Sequence, residues 1–283
     1  MDITPGDSTL STFTAGDGDN LAIQDWPLPE GIALRGVVVL VHGLGEHAGR
    51  YERLARRLNA WGFAVRGYDQ CGHGESGGAR GCLPTPDRLV EDLAEVVEST
   101  RIRMADGLPL VVLDHSMGGL VAARFAALGR GRIDGLVLSS PLFDAGFNAF
   151  QKFLLAILPR IAPNLRVGNG LDPGFISHDP AVVRAYRSDP LVHDRICGRL
   201  ARFIAEAGPW VIGRAGAWKL DTLLMYAGSD RLVDPAGSRA FAAAAPPGVV
   251  TTRCFDGLYH EIFNETDAEP VFDCLKQWLD ARF

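Results

Sequence analysis

The residues best suited to nucleophilic chemistry surround Ser116, in the sequence D-H-S-M-G-G at positions 114–119. Apart from Asp114, this segment matches the G-x-S-x-G turn, which lifts a serine hydroxyl out of a sheet where a strand meets a helix. The same turn places the backbone N–H of Met117 at a helix N-terminus, where the helix dipole stabilises a developing oxyanion. The pattern therefore predicts that Ser116 attacks a carbonyl carbon. A serine that merely caps a helix is the alternative.

A second oxyanion donor is expected from the loop that follows the apolar run at 36–41. This loop reads H-G-L-G-E-H at 42–47, and glycines on both sides of Leu44 allow its backbone N–H to turn toward a pocket. One such donor contributes about 10²–10³ in rate. A lone H-G-x-G also occurs in turns without chemistry, so its weight here depends on the presence of Ser116.

Ser116 requires a general base and an acid that orients this base. When the nucleophile lies on a strand–turn–helix elbow, the acid and then the histidine follow it along the chain. His260 is the only histidine after the candidate acids and is predicted to be the base. Asp230 comes soon after a predicted strand and is preferred as the acid, with Asp234 as the alternative. His115 flanks the nucleophile and is a candidate substrate-binding residue.

The elements that position these residues follow the pattern of an α/β protein. Short apolar and β-branched runs alternate with helical patterns, which is typical of a mostly parallel sheet with helices on both faces. The predicted strands are 36–41, 64–69, 110–114, 133–139, 222–227 and 251–255, and the predicted helices are 86–103, 117–128 and 267–283.

Residues 141–217 interrupt this alternation and are predicted to form an insertion with helical character. We therefore expect a core made of 1–140 and 218–283, and a helical cap or lid at 141–217. Within the cap, apolar residues recur at intervals of three and four, beginning with Phe147 and Phe150. Such a stripe either packs on the sheet or lines an acyl-chain pocket and contacts a lipid surface. Its position in the chain favours the second interpretation.

Composition limits the partners and the compartment. A net charge of −6 argues against nucleic acid as a partner, because its phosphates repel an acidic surface. The N-terminal segment lacks the basic and apolar regions of a signal peptide, and no apolar run approaches the roughly 20 residues of a spanning helix. Five cysteines without metal-type spacing indicate reduced thiols, so we expect a cytoplasmic protein.

The chain resembles, along its whole length, the monoacylglycerol lipase and lysophospholipase branch of the α/β-hydrolases. The motifs that carry the resemblance are VHGLGEHAGRY at 41–51, Asp69 with GHGES at 72–76, HSMGG at 115–119, SDPLV at 188–192, GSDRLVDP at 228–235, and Tyr259 with His260. The resemblance implies an eight-stranded α/β-hydrolase fold whose cap covers an apolar acyl channel. It also implies a catalytic triad of Ser116, Asp230 and His260. The oxyanion would be held by Leu44 and Met117, with no metal or organic cofactor.

The implied activity is hydrolysis of a small-molecule ester or lipid through an acyl-enzyme on Ser116, with a monoacylglycerol or lysophospholipid as substrate. Glu46 and Arg50 match family positions that help to hold the glycerol end and the oxyanion loop, with a surface ion pair as the alternative. The cap would contact a membrane surface transiently. Two other functions are an esterase or amidase for other small or xenobiotic esters, and a non-catalytic binding protein on a hydrolase fold.

Asp114 departs from the family pattern, which has glycine at this position. A carboxylate at the end of a buried strand must find donors or take up a proton. The preferred hypothesis is that neighbouring donors satisfy it and leave the chemistry unchanged. In the two alternatives, Asp114 adapts the pocket to a different substrate, or it impairs the turn and leaves only a binding function.

Overall fold

The computed structural model describes residues 8–146, 157 and 160–283. The strands of these residues are β1 Thr9–Thr14, β2 Asn20–Trp26, β3 Gly36–Val41, β4 Phe63–Tyr68, β5 Leu110–His115, β6 Gly135–Ser139, β7 Arg166–Gly168, β8 Arg195–Cys197, β9 Thr222–Ala227 and β10 Val250–Phe255. The helices with defined bounds are α1 Glu52–Ala60, α2 Arg88–Arg103, α3 Met117–Leu128, α4 Pro180–Ser188, α5 Gly198–Ile212, α6 Pro235–Ala244 and α7 Glu269–Asp280.

The main sheet contains eight strands in the order β1-β2-β4-β3-β5-β6-β9-β10. Strand β2 pairs antiparallel with β1 and β4, and the strands from β4 to β10 pair in parallel. The mostly parallel eight-stranded sheet is thereby confirmed. Strands β1 and β2 were not predicted; β1 is exposed on both faces and so lacks the alternation that identifies a half-buried strand.

Helices cover both faces of this sheet and create two apolar layers. Helices α2 and α3 pack on one face, whereas α1 and α7 pack on the other. The central strand β5 supplies Leu110 and Val112 to the first layer, and Val111 and Leu113 to the second. Burial on both faces explains why β5 reads as a continuous apolar run instead of an alternating one.

The parallel pairing of β3, β5, β9 and β10 brings the loops after their carboxyl ends to one edge of the sheet. These four loops carry Leu44, Ser116, Asp230 and His260 respectively. The topology therefore collects at one edge residues that are up to 216 positions apart in the chain.

The segment between β6 and β9 contains the antiparallel ribbon β7–β8 and helices α4 and α5. Helix α5 joins the same apolar layer as α3, through buried residues that include Leu200, Ile204 and Val211. Phe147 and Phe150 lie outside the described residues. Within the described part of the chain, the structure contains no helix long and apolar enough to cross a membrane.

Cys82 and Cys197 form a disulfide with a Cα–Cα distance of 5.0 Å, so the expectation of reduced thiols is wrong for this pair. The two residues are 115 positions apart, and no spacing rule connects them. They meet because β8 lies against the loop that follows β4, where the Cys197 N–H donates to the Gly81 carbonyl at 2.8 Å. Cys71, Cys254 and Cys274 are free thiols.

Candidate active site

Ser116 occupies the junction between β5 and α3 with φ 55° and ψ −118°. Besides Ser140, it is the only residue other than glycine with a positive φ among the described residues. Such a conformation costs of order 1–3 kcal/mol and persists only where the surroundings enforce it. Here the Ser116 N–H donates to the Ser139 carbonyl at 3.0 Å, and the Ser116 carbonyl accepts from Leu142 at 2.9 Å.

Two glycines allow α3 to begin directly after this turn. A Cβ atom at Gly118 would lie 2.2 Å from the backbone carbonyl oxygen of Val41, and one at Gly119 would lie 2.7 Å from Pro141. Any side chain at Gly118 would thus overlap the end of β3. The short sequence M-G-G after the serine is a steric requirement of this packing.

His260 and Asp230 form a hydrogen bond of 2.6 Å between Nδ1 and Oδ2, and both side chains are almost fully buried. The other oxygen of Asp230 accepts the N–H groups of Leu232 at 2.8 Å and Val233 at 3.0 Å, which fixes the carboxylate. The alternative acid, Asp234, instead accepts the Ala236 N–H and caps α6. The structure therefore brings Asp230 to the histidine, and not Asp234.

Asp230 and His260 each shift the pKa of the other. Burial lowers the pKa of His260, but the charge and hydrogen bond of Asp230 outweigh burial and raise this pKa above 6.5. Burial raises the pKa of Asp230, and the partner His260 reverses this and lowers it below 3.8. A carboxylate that holds Nδ1 in this way leaves Nε2 as the ring nitrogen available to a substrate or nucleophile.

Ser116 and His260 line the same cavity, of about 600 Å³, together with Leu44. Within the described part of the chain, the backbone N–H groups of Leu44 and Met117 donate to no other backbone carbonyl. Gly43 passes close to the nucleophile, since a Cβ on it would lie 3.2 Å from the Ser116 Cβ. Leu44 directly follows Gly43 and Met117 directly follows Ser116, so both amides stay candidates for the predicted oxyanion site.

Glu46 binds the backbone of the loop at 42–47, which the sequence predicts to hold the oxyanion. Its Oε1 accepts the Gly43 N–H at 2.6 Å and the Tyr51 hydroxyl at 2.7 Å, while Oε2 is bound by Arg50. Arg50 also makes two parallel hydrogen bonds of 2.8 Å to Glu261. Burial favours a higher pKa for Glu46, but Arg50 is the main cause of its fall to about 2. This buried network replaces the surface ion pair considered above.

His115 lies against the base, with 4.5 Å between the ring centroids of His115 and His260. Burial, reinforced by the neighbouring His260, lowers the pKa of His115 to about 3. The ring is therefore neutral at neutral pH and lines the cavity beside the nucleophile. Its position is compatible with a polar contact to substrate.

Tyr186 and Glu261 line the same cavity and were not predicted from the sequence. Tyr186 lies on α4, and the Arg50 guanidinium stacks over its ring at 4.6 Å. Nothing in the local sequence marks Tyr186, because its place depends on how the insertion folds back over the core. Glu261 directly follows the predicted base, His260, and this adjacency is the sequence feature that could have identified Glu261 as a site residue.

Asp114 is fully buried, and neither of its carboxylate oxygens has a hydrogen-bond partner of good geometry among the described residues. The expectation that neighbouring donors satisfy it is therefore wrong. Burial raises its pKa well above 3.8, with only the Ser139 backbone acting against this. The side chain points toward Gly119 and does not line the cavity, and its burial favours the protonated form.

A second cavity of about 460 Å³ also reaches Ser116 and His260. Its walls include the apolar side chains of Leu44, Leu142, Phe175, Ile196, Ile204 and Val233, beside the charged Asp172 and Arg231. We call this the apolar lobe, and the cavity lined by Glu46, Tyr186 and Glu261 the polar lobe. The nucleophile thus lies where the two cavities meet, and most of the charged side chains line the first of them.

Comparison with known proteins agrees with this arrangement. Residues 33–267 match the family described as serine aminopeptidase, S33. The monoacylglycerol lipase of Mycolicibacterium smegmatis is 38% identical over 248 residues, which cover 87% of this chain and 88% of that protein. The human monoglyceride lipase is 31% identical over 281 residues, which cover 96% and 91% respectively.

Solved structures give the same result. The monoacylglycerol lipase of Paleococcus ferrophilus superposes with a TM-score of 0.84 at 35% identity, over 93% of this chain and 99% of that one. A soluble variant of the Saccharomyces cerevisiae monoglyceride lipase, in complex with a substrate analogue, gives 0.88 at 27% identity, over 99% and 97%. The chain therefore belongs to the monoacylglycerol lipase family of α/β-hydrolases, which are serine hydrolases.

Proposed function

We propose that this protein hydrolyses the ester bond of lipids that carry a single acyl chain, such as monoacylglycerols, through an acyl-enzyme on Ser116. The observation that carries the proposal is the buried Asp230–His260 pair in the same cavity as a serine held at positive φ. The relatives named as monoacylglycerol lipases support the choice of substrate.

In the first step, the Ser116 hydroxyl attacks the ester carbonyl carbon while His260 Nε2 accepts its proton. Asp230 stabilises the imidazolium that forms, and the amides of Leu44 and Met117 stabilise the oxyanion. The tetrahedral intermediate collapses when His260 returns the proton to the leaving alcohol. In the second step, water attacks the acyl-enzyme with His260 again as the base, which releases the fatty acid and restores Ser116.

The two lobes suit the two halves of such a substrate. The acyl chain would lie in the apolar lobe, and its burial there contributes about 25 cal/mol per Å² of apolar surface. The leaving alcohol would lie in the polar lobe, beside the neutral His115 and the protonated hydroxyl of Tyr186. Burial raises the pKa of that hydroxyl above 10, so Tyr186 stays a hydrogen-bond donor.

The proposal assigns residues 141–217 to a cap that covers the site and contacts lipid transiently. In support, Ile157, Ile161, Leu165, Val167 and Leu171 in this segment are exposed apolar side chains. Cytoplasmic localisation stays a prediction, and the Cys82–Cys197 disulfide counts against it because such bonds are rare in reducing compartments.

The test compares the wild type with Ser116→Ala on 1-monoacylglycerols of graded chain length, a lysophospholipid, an aryl ester and an acyl amide. Ser99→Ala, on the outer part of α2, is the matched control. We expect Ser116→Ala to lose hydrolysis of every ester and labelling by a fluorophosphonate, with Ser99→Ala unchanged. Labelling that persists in Ser116→Ala would disprove the nucleophile, and exclusive cleavage of amides or aryl esters would disprove the substrate class.

A further inference from the structure

The polar lobe is lined by four arginines that ester hydrolysis itself does not require: Arg80, Arg166, Arg187 and Arg195. Arg187 pairs with Asp172 at 3.7 Å, which leaves Arg80, Arg166 and Arg195. They come from three separate segments, which are the loop after β4, strand β7 and strand β8. The same cavity is also lined by four acids, Glu46, Asp189, Asp194 and Glu261, so the charge available to a ligand depends on which of these groups are paired.

Backbone geometry fixes this cluster. In the β7–β8 ribbon, Gly168 pairs with Arg195 and Arg166 pairs with Cys197. Arg166 and Arg195 thus project from the same face as diagonal neighbours, at the separation of about 7–8 Å that such pairs have. The loop that carries Arg80 is held against β8 by the hydrogen bond from Cys197 to Gly81 and by the Cys82–Cys197 disulfide.

The acids of the polar lobe are already paired, whereas two of the three arginines are not. Glu46 and Glu261 bind Arg50, and Asp189 binds His47 at 2.8 Å. Asp194 pairs with Arg195 at 3.2 Å. Within the described part of the chain, Arg166 has no acidic partner, and Arg80 only donates to the Ser76 carbonyl at 3.3 Å.

His193, between these groups, adds no opposing charge. Its Nε2 lies 3.1 Å from the Gly72 carbonyl, and its Nδ1 accepts the Arg195 N–H at 3.2 Å, so the ring is a neutral tautomer. Burial lowers the pKa of His193, and the charge of Arg80 lowers it further. The site therefore presents two arginines without an acidic partner among the described residues, Arg80 and Arg166, and a third, Arg195, that contacts Asp194.

From this arrangement we propose that Arg80, Arg166 and Arg195 form a subsite for an anionic group carried by the leaving alcohol, with a phosphate monoester as the best fit. The proposal rests on the function proposed above and specifies its substrate as a phosphorylated monoacylglycerol. Guanidinium groups bind phosphate oxygens with paired, charge-assisted hydrogen bonds, and the acyl chain keeps its place in the apolar lobe.

The kinetic test compares 1-decanoylglycerol with 1-decanoylglycerol 3-phosphate, both below their critical micelle concentrations, so that no lipid surface is present. The variant is Arg80→Gln/Arg166→Gln, and the control is Arg132→Gln, whose side chain is 85% exposed and lines a different cavity. We expect the double variant to lose at least tenfold in kcat/KM for the phosphorylated substrate and less than twofold for the neutral one. The control should change neither.

Equal losses on both substrates would show a structural role for the arginines, and no loss would show that they bind no substrate; either result overturns the proposal. Adsorption to vesicles of anionic phospholipid that falls in the double variant, with kinetics on the phosphorylated substrate unchanged, would assign the cluster to a membrane surface instead. Inorganic phosphate should compete only weakly, since it lacks the acyl chain; inhibition equal to that by the phosphorylated lipid would indicate a free-anion site.

A binding measurement separates this proposal from the proposed hydrolysis. Calorimetric titration of Ser116→Ala with 1-decanoylglycerol 3-phosphate should show binding that weakens at least tenfold when Arg80→Gln/Arg166→Gln is added. The affinity should also fall between 0.05 and 0.5 M NaCl, because salt screens exposed charges. If the wild type hydrolyses neither lipid, the proposed function fails, while this titration still decides whether the anion subsite exists.

Discussion

At the residue scale, burial and Asp230 shift the pKa of His260 in opposite directions, and the net shift predicts the pH profile of hydrolysis. His260 must be unprotonated to act as a base. Asp230 raises the pKa of His260 above 6.5, although burial alone would lower it. We therefore expect kcat/KM for a neutral ester to rise with pH along an acid limb centred above 6.5. A limb centred below 6.5 would contradict the ion pair.

Replacing the acid tests the same pair. Asp230→Asn removes the charge that raises the pKa of His260 and favours the wrong tautomer, so kcat should fall by about 10⁴ and the acid limb should move to lower pH. Asp234→Asn is the matched control, because asparagine also caps a helix and Asp234 only caps α6. A comparable loss in Asp234→Asn would reverse the assignment of the acid.

Asp114 predicts a pH-dependent stability. Its pKa is raised in the folded state, so the unfolded chain releases this proton near pH 4 whereas the folded protein retains it. The stability linked to this proton is therefore complete below about pH 4 and is lost as pH rises toward the folded-state value. We expect the free energy of unfolding of the wild type to decrease from pH 5 to pH 8 relative to Asp114→Asn, by up to about 1.4 kcal/mol per pH unit.

Urea denaturation of both proteins across this range measures the effect, and a constant difference would show that Asp114 is ionised in the folded state. Activity provides a second readout. Because the carboxyl group faces Gly119 and not the cavity, Asp114→Gly should change ester hydrolysis by less than about tenfold, which corresponds to 1.4 kcal/mol. A larger change would give Asp114 a part in the function.

At the scale of elements, the turn between β5 and α3 depends on close backbone contact. Gly118→Ala would place a Cβ 2.2 Å from the Val41 carbonyl oxygen, which is rigid backbone at the end of β3. We expect this variant to lose nearly all hydrolysis, because α3 and the Met117 amide must move, and to lose about 1–3 kcal/mol of stability. Assays of ester hydrolysis and urea denaturation measure both effects.

Gly216→Ala is the control, since its added Cβ would meet only the Ala244 carbonyl at 3.7 Å, an ordinary contact. Equal activity of Gly118→Ala and the wild type would show that the helix tolerates displacement at its first turn. It would then follow that the M-G-G sequence is not a steric requirement.

The elements of the core were predictable because their signals are local. Strand β5 and helix α3 were predicted to within a residue. A strand buried on both faces appears in the sequence as a continuous apolar run, and the serine-glycine turn marks where the helix begins. The ribbon β7–β8 and helix α4 have weaker sequence patterns, because these elements are short and mostly exposed and so contain few periodic apolar residues. Their positions, and with them Tyr186, depend on contacts with distant parts of the chain.

At the scale of the whole molecule, the core and the 141–217 insertion are joined in two ways. Helix α5 shares an apolar layer with α3, and the Cys82–Cys197 disulfide ties β8 to the loop after β4. The sequence analysis predicted reduced thiols and therefore missed this covalent link. Pairing depends on which strands become neighbours in space, and a separation of 115 positions gives no indication of that.

The disulfide should stabilise the folded protein mainly by restricting the unfolded chain. Closing a loop of about 100 residues is worth up to about 4.7 kcal/mol in the chain-entropy treatment, before any strain in the folded state is subtracted. We therefore expect Cys82→Ser/Cys197→Ser to unfold at a lower Tm than the wild type, and the wild type with dithiothreitol to shift in the same direction. Cys274→Ser, at a free and partly exposed thiol, should not change the effect of dithiothreitol.

Thiol counting under denaturing, non-reducing conditions provides the direct check: three reactive thiols correspond to the free Cys71, Cys254 and Cys274. Five would show that the bond is absent and that the original expectation of reduced cysteines was correct. Because the same bond holds the Arg80 loop against β8, its loss should also weaken hydrolysis of the phosphorylated ester more than that of the neutral one. A global loss of activity without that selectivity would mean that the disulfide supports the fold but does not organise the arginines.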